Sequence, residues 1–330
     1  MTRVAVLGGG SWGTALAQAV SQANHDVVLW ARDQGLVDEI NAGHENPRYL
    51  PGMPLDPGIR ATGDLASAAA CEILLLVVPA QHLRALAERL AAVLPKDRPL
   101  VICSKGIERG SGALMSEVLA EVLPGQPLAV LSGPTFAAEV ARGLPCAVTL
   151  ACTEQSVGLP LLNTLGGRRF RPYLSDDVTG VEVGGAVKNV IAIACGIVIG
   201  RGLGENARAA LITRGLAEVV RLNRAKGGRA ETSMGLSGLG DLTLTCCGPQ
   251  SRNYSLGVAL GEGRALTDVL GERHTVAEGV FTAEAVSALA GRLGVDMPIC
   301  EAVHAVLHLG ADLGVTIAGL LARPFRSEHA

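Results

Sequence analysis

The chain has little excess charge of either sign and no long uninterrupted apolar segment. Its 28 basic residues nearly balance 31 acidic residues, which argues against a nucleic-acid or polyanion surface. No apolar run reaches the roughly 18 residues of a membrane span, and the longest candidate, Ala186 to Gly200, contains Lys188 and Asn189. The sequence therefore predicts a buried helix there and no membrane span. The first residues lack the pattern of a signal peptide, which predicts a cytoplasmic location.

Metal-binding and disulfide patterns are also lacking. The eight cysteines form no C-x-x-C pair and show no Cys/His ligand spacing, so no metal site is predicted. Most of them lie in apolar runs, which favours buried reduced thiols in a cytosolic protein. The adjacent Cys246 and Cys247 leave a redox-active pair open, although core filling is the favoured interpretation.

Lysine is scarce, because only four of the 28 basic residues are lysine. Lys96 and Lys226 lie in polar segments, whereas Lys105 ends an apolar strand and Lys188 interrupts an apolar helix. A partly buried ammonium can lose its proton, which a guanidinium effectively cannot do. Keeping lysine at positions 105 and 188 therefore suggests proton chemistry there, although a lysine stem can also simply snorkel to solvent.

A glycine-rich turn follows the first apolar run. Val4 to Leu7 is typical of a buried strand, and Gly8, Gly10 and Gly13 fill the fixed places of G-x-G-x-x-G before Ala-rich helical sequence. Gly8 allows the tight turn, Gly10 lets the backbone approach a pyrophosphate, and Gly13 lets the helix pack closely on the strand. A second strand follows, so this stretch predicts a dinucleotide site.

Strand and helix patterns alternate as far as a last predicted strand, Phe170 to Leu174. Among them are a continuous apolar strand from Cys71 to Val78, a helix from Ser111 to Leu123 and a helix that Thr153 caps and that ends at Leu165. This is the pattern of a Rossmann-like, doubly wound α/β sheet in residues 1–175.

The second half carries helical spacing only. Capping residues around Asp177 introduce a long helix, predicted from Val178 to Ile199, and no convincing strand follows residue 175. Residues 176–330 are therefore predicted to form an all-α domain after the α/β domain. On the long helix, small residues surround Lys188, which lets a ligand or another backbone come close. A structural pair of Lys188 with Glu182 or Asp177 remains the alternative.

The residues at the end of the second strand do not decide between NAD and NADP. An acidic residue about 20 positions past the glycine loop suits the ribose 2′-hydroxyl of NAD, whereas arginine suits the 2′-phosphate of NADP. This chain has Arg32 and Asp33 side by side, and Asp33 could instead cap the next helix.

Further motifs lie at positions where such folds bind ligands. Val77-Val78-Pro79, Ser104-Lys105-Gly106 and Ser132-Gly133-Pro134 each follow a strand, at the edge where doubly wound sheets bind ligands. Gln250-Ser251-Arg252-Asn253 places a guanidinium, a hydroxyl and an amide at a predicted helix start, which suits a small phosphate. A helix cap with a solvated arginine is the alternative for this last motif.

Together these motifs make the chain resemble the bacterial NAD(P)-dependent glycerol-3-phosphate dehydrogenase family. The resemblance covers nearly the whole chain and is carried by GGGSWGTALA, LWAR, VVP, SKG, LSGPTFAAEVARGLP, GVEVGGAVKNVIAIA, NARAALITRGLAE, GLSGLGDLTLTC and QSRN. It implies interconversion of dihydroxyacetone phosphate and sn-glycerol 3-phosphate, for glycerophospholipid biosynthesis, with NAD or NADP as cofactor. A homodimer is an open alternative for the oligomeric state.

The resemblance also implies roles for particular residues. Lys188 matches the family's proton donor and acceptor, Lys105 would stabilise the same substrate oxygen, and Asp241 would orient Lys188. Beside the three loop glycines, the implied cofactor positions are Ser11, Trp12, Arg32, Lys105, Ala137, Arg252, Val276 and Glu278. The implied substrate positions are Lys105, Gly133, Thr135, Lys188, Asp241, Ser251, Arg252 and Asn253.

Two other functions share part of this pattern. A dehydrogenase of a hydroxy acid would have the same two-domain plan, but the Gln250–Asn253 motif would then be unexplained. A nucleotide sensor without activity would keep the glycine loop but would not need both Lys105 and Lys188.

Overall fold

The structure, a computed structural model, describes residues 1–272, 277–325 and 327. The ten strands of this described part are β1 (Arg3–Leu7), β2 (Asp26–Trp30), β3 (Glu45–Asn46), β4 (Leu50–Pro54), β5 (Arg60–Thr62), β6 (Ile73–Leu76), β7 (Leu100–Ile102), β8 (Leu128–Ser132), β9 (Cys146–Ala151) and β10 (Phe170–Ser175).

Helices surround the strands and then replace them. Those among the strands are α1 (Ser11–Gln22), α2 (Gln34–Gly43), α3 (Leu65–Ala69), α4 (Leu83–Ala91), α5 (Met115–Val122), α6 (Ala137–Ala141) and α7 (Gln155–Leu165). Those after residue 175 are α8 (Val178–Gly200), α9 (Gly204–Ala225), α10 (Ala230–Ser233), α11 (Asp241–Cys247), α12 (Arg252–Gly261), α13 (Leu266–Gly271), α14 (Glu278–Leu293), α15 (Pro298–His308) and α16 (Leu313–Leu321).

Eight strands form one sheet in the order β10-β9-β8-β7-β6-β1-β2-β5. The chain leaves β1 towards β2 and β5 and then returns to the other side of β1 with β6, which creates the switch point where doubly wound sheets bind ligands. Apolar clusters cover both faces of the sheet, as expected for strands that are nearly continuous apolar runs. The predicted Rossmann-like sheet followed by a helical region is confirmed.

Strand β9 runs antiparallel to β8, so β9 and β10 point opposite to the other strands of the sheet, a direction that the sequence pattern leaves open. Two local predictions need correction. Thr153 does not cap α7, whose N-cap is Glu154 without a side-chain bond. The predicted helix from Ser111 begins later, at Met115. In both cases the apolar pattern was correct, but an apolar pattern does not fix the first turn of a helix.

Helix α8 is the centre of the second half. Asp177 caps it by accepting a hydrogen bond from Gly180 N at 2.9 Å, as the sequence predicts. In the described part of the chain, this helix alone is long and apolar enough to cross a membrane, but 89% of its most apolar window is buried inside the protein. It is therefore the buried helix that the sequence predicts.

Helices α8 and α12 touch through their backbones. A Cβ atom on Gly257 would lie 2.1 Å from the carbonyl oxygen of Ile193, and one on Gly196 would lie 2.1 Å from that of Tyr254. Gly200 and Gly261 repeat this contact one turn further on, with distances of 2.2 Å and 2.4 Å to the opposing backbone. Glycine is needed at these positions because any side chain would push the two helices apart.

Candidate functional site

The glycine loop joins β1 to α1 at the switch point of the sheet. Gly8 has a φ of +135°, and a Cβ there would lie 2.8 Å from the carbonyl oxygen of Val77 at the end of β6. A Cβ on Gly13 would lie 1.8 Å from the carbonyl oxygen of Gly8, so α1 starts directly against the turn. Gly10 has open space where its Cβ would be and leaves the first turn of α1 without a side-chain cap.

This arrangement fits a dinucleotide. The uncapped N–H groups and positive dipole end of α1 are suited to a pyrophosphate, and no atom lies within 4 Å of the place where a Gly10 Cβ would be. Two polar atoms at sequence-predicted cofactor positions, Trp12 Nε1 and Glu278 Oε2, are buried and have no hydrogen-bond partner in the described structure. Buried polar atoms are normally paired, so both are candidates to bind a ligand.

Other predicted cofactor positions lie on several elements of the fold. Arg32 is exposed just after β2, Ala137 is half-buried as the first residue of α6, and Ser11 Oγ donates to Tyr49 O at 2.6 Å. Glu278 begins α14, and its Oε1 accepts from Ala80 N at 3.3 Å just after β6. Burial raises the pKa of the Glu278 carboxyl to about 7. Val276 lies outside the described residues.

Lys188, Asp241 and Lys105 form one hydrogen-bonded cluster. Lys188 Nζ donates to Asp241 Oδ1 and, at 3.0 Å, to Thr245 Oγ1. Lys105 Nζ donates to Asp241 Oδ2 at 2.7 Å and to Gly133 O at 3.0 Å. The Asp241 side chain is only 1% exposed, so one buried carboxylate faces two amines. If both amines carried protons, the cluster would keep a net positive charge.

The electrostatics of this cluster favour proton transfer. Burial lowers the pKa of Lys188 to about 8, and the neighbouring Lys105 acts in the same direction, whereas Asp241 opposes them. A group with a pKa near the working pH is an efficient general acid or base. The alternative partners are engaged elsewhere: Asp177 caps α8, and Glu182 accepts hydrogen bonds from Ser116. The structural pair left open by the sequence therefore does not form.

A wide turn places Asp241 beside Lys188. Leu236–Gly240 forms a π-helical turn, a form often found at functional sites, and α11 begins directly after it. A Cβ on Gly184 of α8 would lie 2.7 Å from the carbonyl oxygen of Ser237 in this turn. The small residues before Lys188 therefore admit another backbone, as the sequence predicts, and that backbone carries the carboxylate.

The strand-end motifs meet at the same place. Neighbouring strands β6, β7 and β8 run parallel, so the segments after them share one edge of the sheet. Ser104 Oγ donates to Val78 O at 2.5 Å, and Thr135 Oγ1 donates to Gly133 O at 3.2 Å. A Cβ on Gly185 would lie 2.7 Å from Ser132 Oγ. This hydroxyl is buried and has no hydrogen-bond partner in the described structure.

The Gln250–Asn253 motif lies at the start of α12. Ser251 caps this helix by accepting from Tyr254 N at 3.2 Å, and Arg252 is exposed. Asn253 Nδ2 donates to Asn189 Oδ1 at 2.9 Å, and Asn253 Oδ1 accepts from Gly279 N at 3.0 Å. Asn253 therefore ties α12 to α14 and to the residue next to Lys188, which brings this motif to the cluster.

Sequence reasoning missed several residues of the site. Thr245 holds Lys188 one turn into α11, and Asn189 holds Asn253. Ser237, whose carbonyl lies beside Gly184, has a buried hydroxyl without a partner in the described structure. The only signal for Thr245 was its place four residues after Asp241, on the same helical face. The Cys246–Cys247 pair is split, because Cys246 is buried and Cys247 exposed.

Comparisons with known proteins place the chain in one family. Residues 3–158 match the model of the NAD-dependent glycerol-3-phosphate dehydrogenase N-terminus, and residues 177–318 match that of the C-terminus. The chain is similar to glycerol-3-phosphate dehydrogenase [NAD(P)+] of Rhodospirillum rubrum, with 60% identity over 98% of this chain and 93% of that protein. The counterpart from Parvibaculum lavamentivorans is 56% identical over 99% of this chain and 98% of its own length.

Solved structures give the same result. The crystal structure of glycerol-3-phosphate dehydrogenase from Coxiella burnetii has a TM-score of 0.94 and 41% identity, and covers 98% of this chain and 99% of the other. Sequence and fold thus agree with these relatives along almost the whole chain. The chain belongs to the NAD-dependent glycerol-3-phosphate dehydrogenase family.

Proposed function

We propose that this chain interconverts dihydroxyacetone phosphate and sn-glycerol 3-phosphate, with NAD or NADP, and that Lys188 is the proton donor and acceptor. The observation that carries the proposal is the buried Lys188 amine, with a pKa of about 8, which shares the Asp241 carboxylate with Lys105. A pKa near neutral pH and a fixed position are the two properties that acid–base catalysis needs.

The division of labour follows from the contacts. When bound, the dinucleotide supplies the hydride chemistry, and the chain supplies position and charge. In the direction of reduction, Lys188 Nζ gives its proton to the oxygen that becomes a hydroxyl. Lys105 Nζ, fixed by Gly133 O and Asp241, stabilises the negative charge that develops on the same oxygen. Asp241 is the positioning residue for both amines.

A phosphate group would be bound away from the reacting carbon. Arg252 offers a guanidinium next to Asn253, whose side chain is fixed by Asn189, the neighbour of Lys188. Ser251 and the first turn of α12 add a hydroxyl and backbone N–H groups. These residues support a small substrate with a phosphate at one end and a carbonyl or hydroxyl at the other.

Turnover with defined substrates tests the proposal. Purified protein with NADPH should lose absorbance at the reduced nicotinamide band when dihydroxyacetone phosphate is added. Consumption only with 2-keto acids would indicate a hydroxy-acid dehydrogenase instead. Cofactor binding without turnover of either substrate would indicate a nucleotide sensor.

The pH dependence tests the role of Lys188. Reduction needs the protonated amine, so kcat/KM for reduction should fall as the pH rises through about 8, whereas kcat/KM for oxidation should rise through the same pH. Asp241→Asn removes the charge that raises the pKa of Lys188, so both transitions should move to lower pH. Rate profiles in both directions measure this. Transitions that stay in place in the variant would contradict the assignment.

The domain boundary, the oligomeric state, the location and the cellular role are part of the same proposal. We propose that the chain divides near residue 175 into a dinucleotide domain and a helical substrate domain, which the two family matches support. We also propose a cytoplasmic homodimer that supplies the glycerol phosphate of phospholipids. Light scattering of the purified protein tests the dimer, and the glycerolipid content of cells depleted of the protein tests the supply role.

A further inference from the structure

The connection between α2 and β5 contains a buried anchor. Asn46 is 0% exposed, and its Nδ2 donates to Gly9 O at 2.9 Å and to Thr14 Oγ1 at 2.7 Å. Its Oδ1 accepts from Tyr49 N at 3.1 Å. Asn46 therefore binds this connection to the glycine loop and to α1, so the residues that follow it have a fixed place beside the loop.

Arg48 is the residue that this anchor positions. Arg48 Nη1 lies 2.7 Å from Asp33 Oδ2, and Nε and Nη2 bind the Glu39 carboxylate at 2.9 Å and 2.7 Å. A Cβ on Gly35 would lie 3.1 Å from Arg48 Nη2, so the guanidinium lies over the first turn of α2. It therefore stands at the end of β2, bound to Asp33, which is the next residue after the exposed Arg32.

If Asp33 acted alone at the end of β2, the site would prefer NAD to NADP. An acidic side chain at the end of the second strand binds the ribose 2′-hydroxyl and repels a 2′-phosphate. Here Asp33 also caps α2 by accepting from Leu36 N at 3.2 Å, and its remaining oxygen is neutralised by Arg48. The side chains of Arg48 and Asp33 are 40% and 57% exposed, so both remain accessible to a ligand.

We propose that Arg48 is a specificity-determining residue, which neutralises Asp33 and, with Arg32, binds the 2′-phosphate of NADP. The inference rests on the proposed dinucleotide site at the glycine loop. Glu39 holds the guanidinium through Nε and Nη2, so the Nη1 edge can exchange Asp33 for a 2′-phosphate without losing its support. Released in this way, Asp33 still caps α2. With NAD, Asp33 keeps its salt bridge, and its exposed carboxylate can accept from the 2′-hydroxyl through a further lone pair.

Binding of nucleotide fragments tests this assignment without turnover. Calorimetry would compare 2′,5′-ADP with 5′-ADP, which carries a free 2′-hydroxyl, in the wild-type protein and in Arg48→Met. We expect the variant to bind 2′,5′-ADP about tenfold more weakly, because it loses one charged hydrogen bond at a partly exposed site. Binding of 5′-ADP should be unchanged or tighter, because Asp33 is then released.

A second variant should act in the opposite direction. Asp33→Asn keeps a side chain that caps helices equally well, but it removes the charge that competes for Arg48. Its affinity for 2′,5′-ADP should rise relative to 5′-ADP. Arg264→Met is the matched control, because Arg264 is 42% exposed and pairs with Glu272 outside this region. It should leave the affinity ratio unchanged.

The outcomes separate this inference from the proposed function. An unchanged affinity ratio in Arg48→Met, or an equal loss for both nucleotides, would overturn the specificity role. Failure of the wild-type protein to bind either fragment would also overturn it. If the fragments bind as expected but dihydroxyacetone phosphate is not turned over, the proposed reaction is wrong and the assignment of Arg48 stands.

Discussion

Replacing Lys188 with methionine should lower the turnover number in both directions at least about a hundredfold, the usual contribution of a general acid or base. Methionine nearly fills the volume of the lysine stem and has no amine, and Asp241 keeps Lys105 as a partner. The fold and the glycine loop should therefore remain intact. Steady-state kinetics would measure the loss, and NADPH fluorescence titration should give an unchanged dissociation constant.

Lys226→Met is the control for this prediction. Lys226 also pairs with a carboxylate, Glu117, at 2.6 Å, but it lies outside the cluster around Asp241. This variant should keep its turnover number. A Lys188→Met protein that turns over within tenfold of the wild type would show that another group transfers the proton.

Gly257→Ala should destabilise the protein although it adds a single methyl group. The new Cβ would lie 2.1 Å from Ile193 O and 2.9 Å from Gly196 Cα, and both are backbone atoms that can move only if α8 and α12 separate. Overpacking typically costs about 1–3 kcal/mol, and we expect the upper end of this range because both opposing atoms belong to the backbone. In a chain of this size the melting temperature should fall by about 4 °C, measured by circular dichroism or calorimetry. Activity should fall as well, because α8 carries Lys188.

Gly291→Ala provides the opposite control. Gly291 lies in α14, is exposed, and would meet nothing within 4 Å if it carried a Cβ. Alanine there should stabilise the helix by up to about 1 kcal/mol. Equal stability of Gly257→Ala and the wild type would mean that the two backbones are not in contact.

Local patterns were enough to predict much of the fold and part of the site. The glycine loop, the buried helix α8 and the isolated lysines at 105 and 188 all depend on residues close together in sequence. Apolar periodicity alone indicates the change from sheet to helices after residue 175. The cap of α8 by Asp177 follows from the preference of acidic residues for helix starts.

The features that were missed depend on distant parts of the chain. Thr245 holds Lys188 only because a π-helical turn brings α11 against Gly184. Asn46 has no local signal, because its partners are Gly9 and Thr14 in the glycine loop and α1. The direction of β9 is set by its pairing with β8 and not by its composition. A single sequence shows that such residues are polar and near apolar runs, but not what they meet.

The Lys105–Asp241 salt bridge spans the sheet and the helical half of the chain, because Lys105 follows β7 and Asp241 begins α11. Any motion that parts the two halves must break this bond and leave the aspartate to Lys188 alone. The pKa of Lys188 would then be higher in an open form than in a closed form. Closure around a bound molecule would thus lower the pKa of Lys188 at the stage when the reaction needs a proton transfer. The conformation of the chain and the acidity of Lys188 would then be thermodynamically coupled.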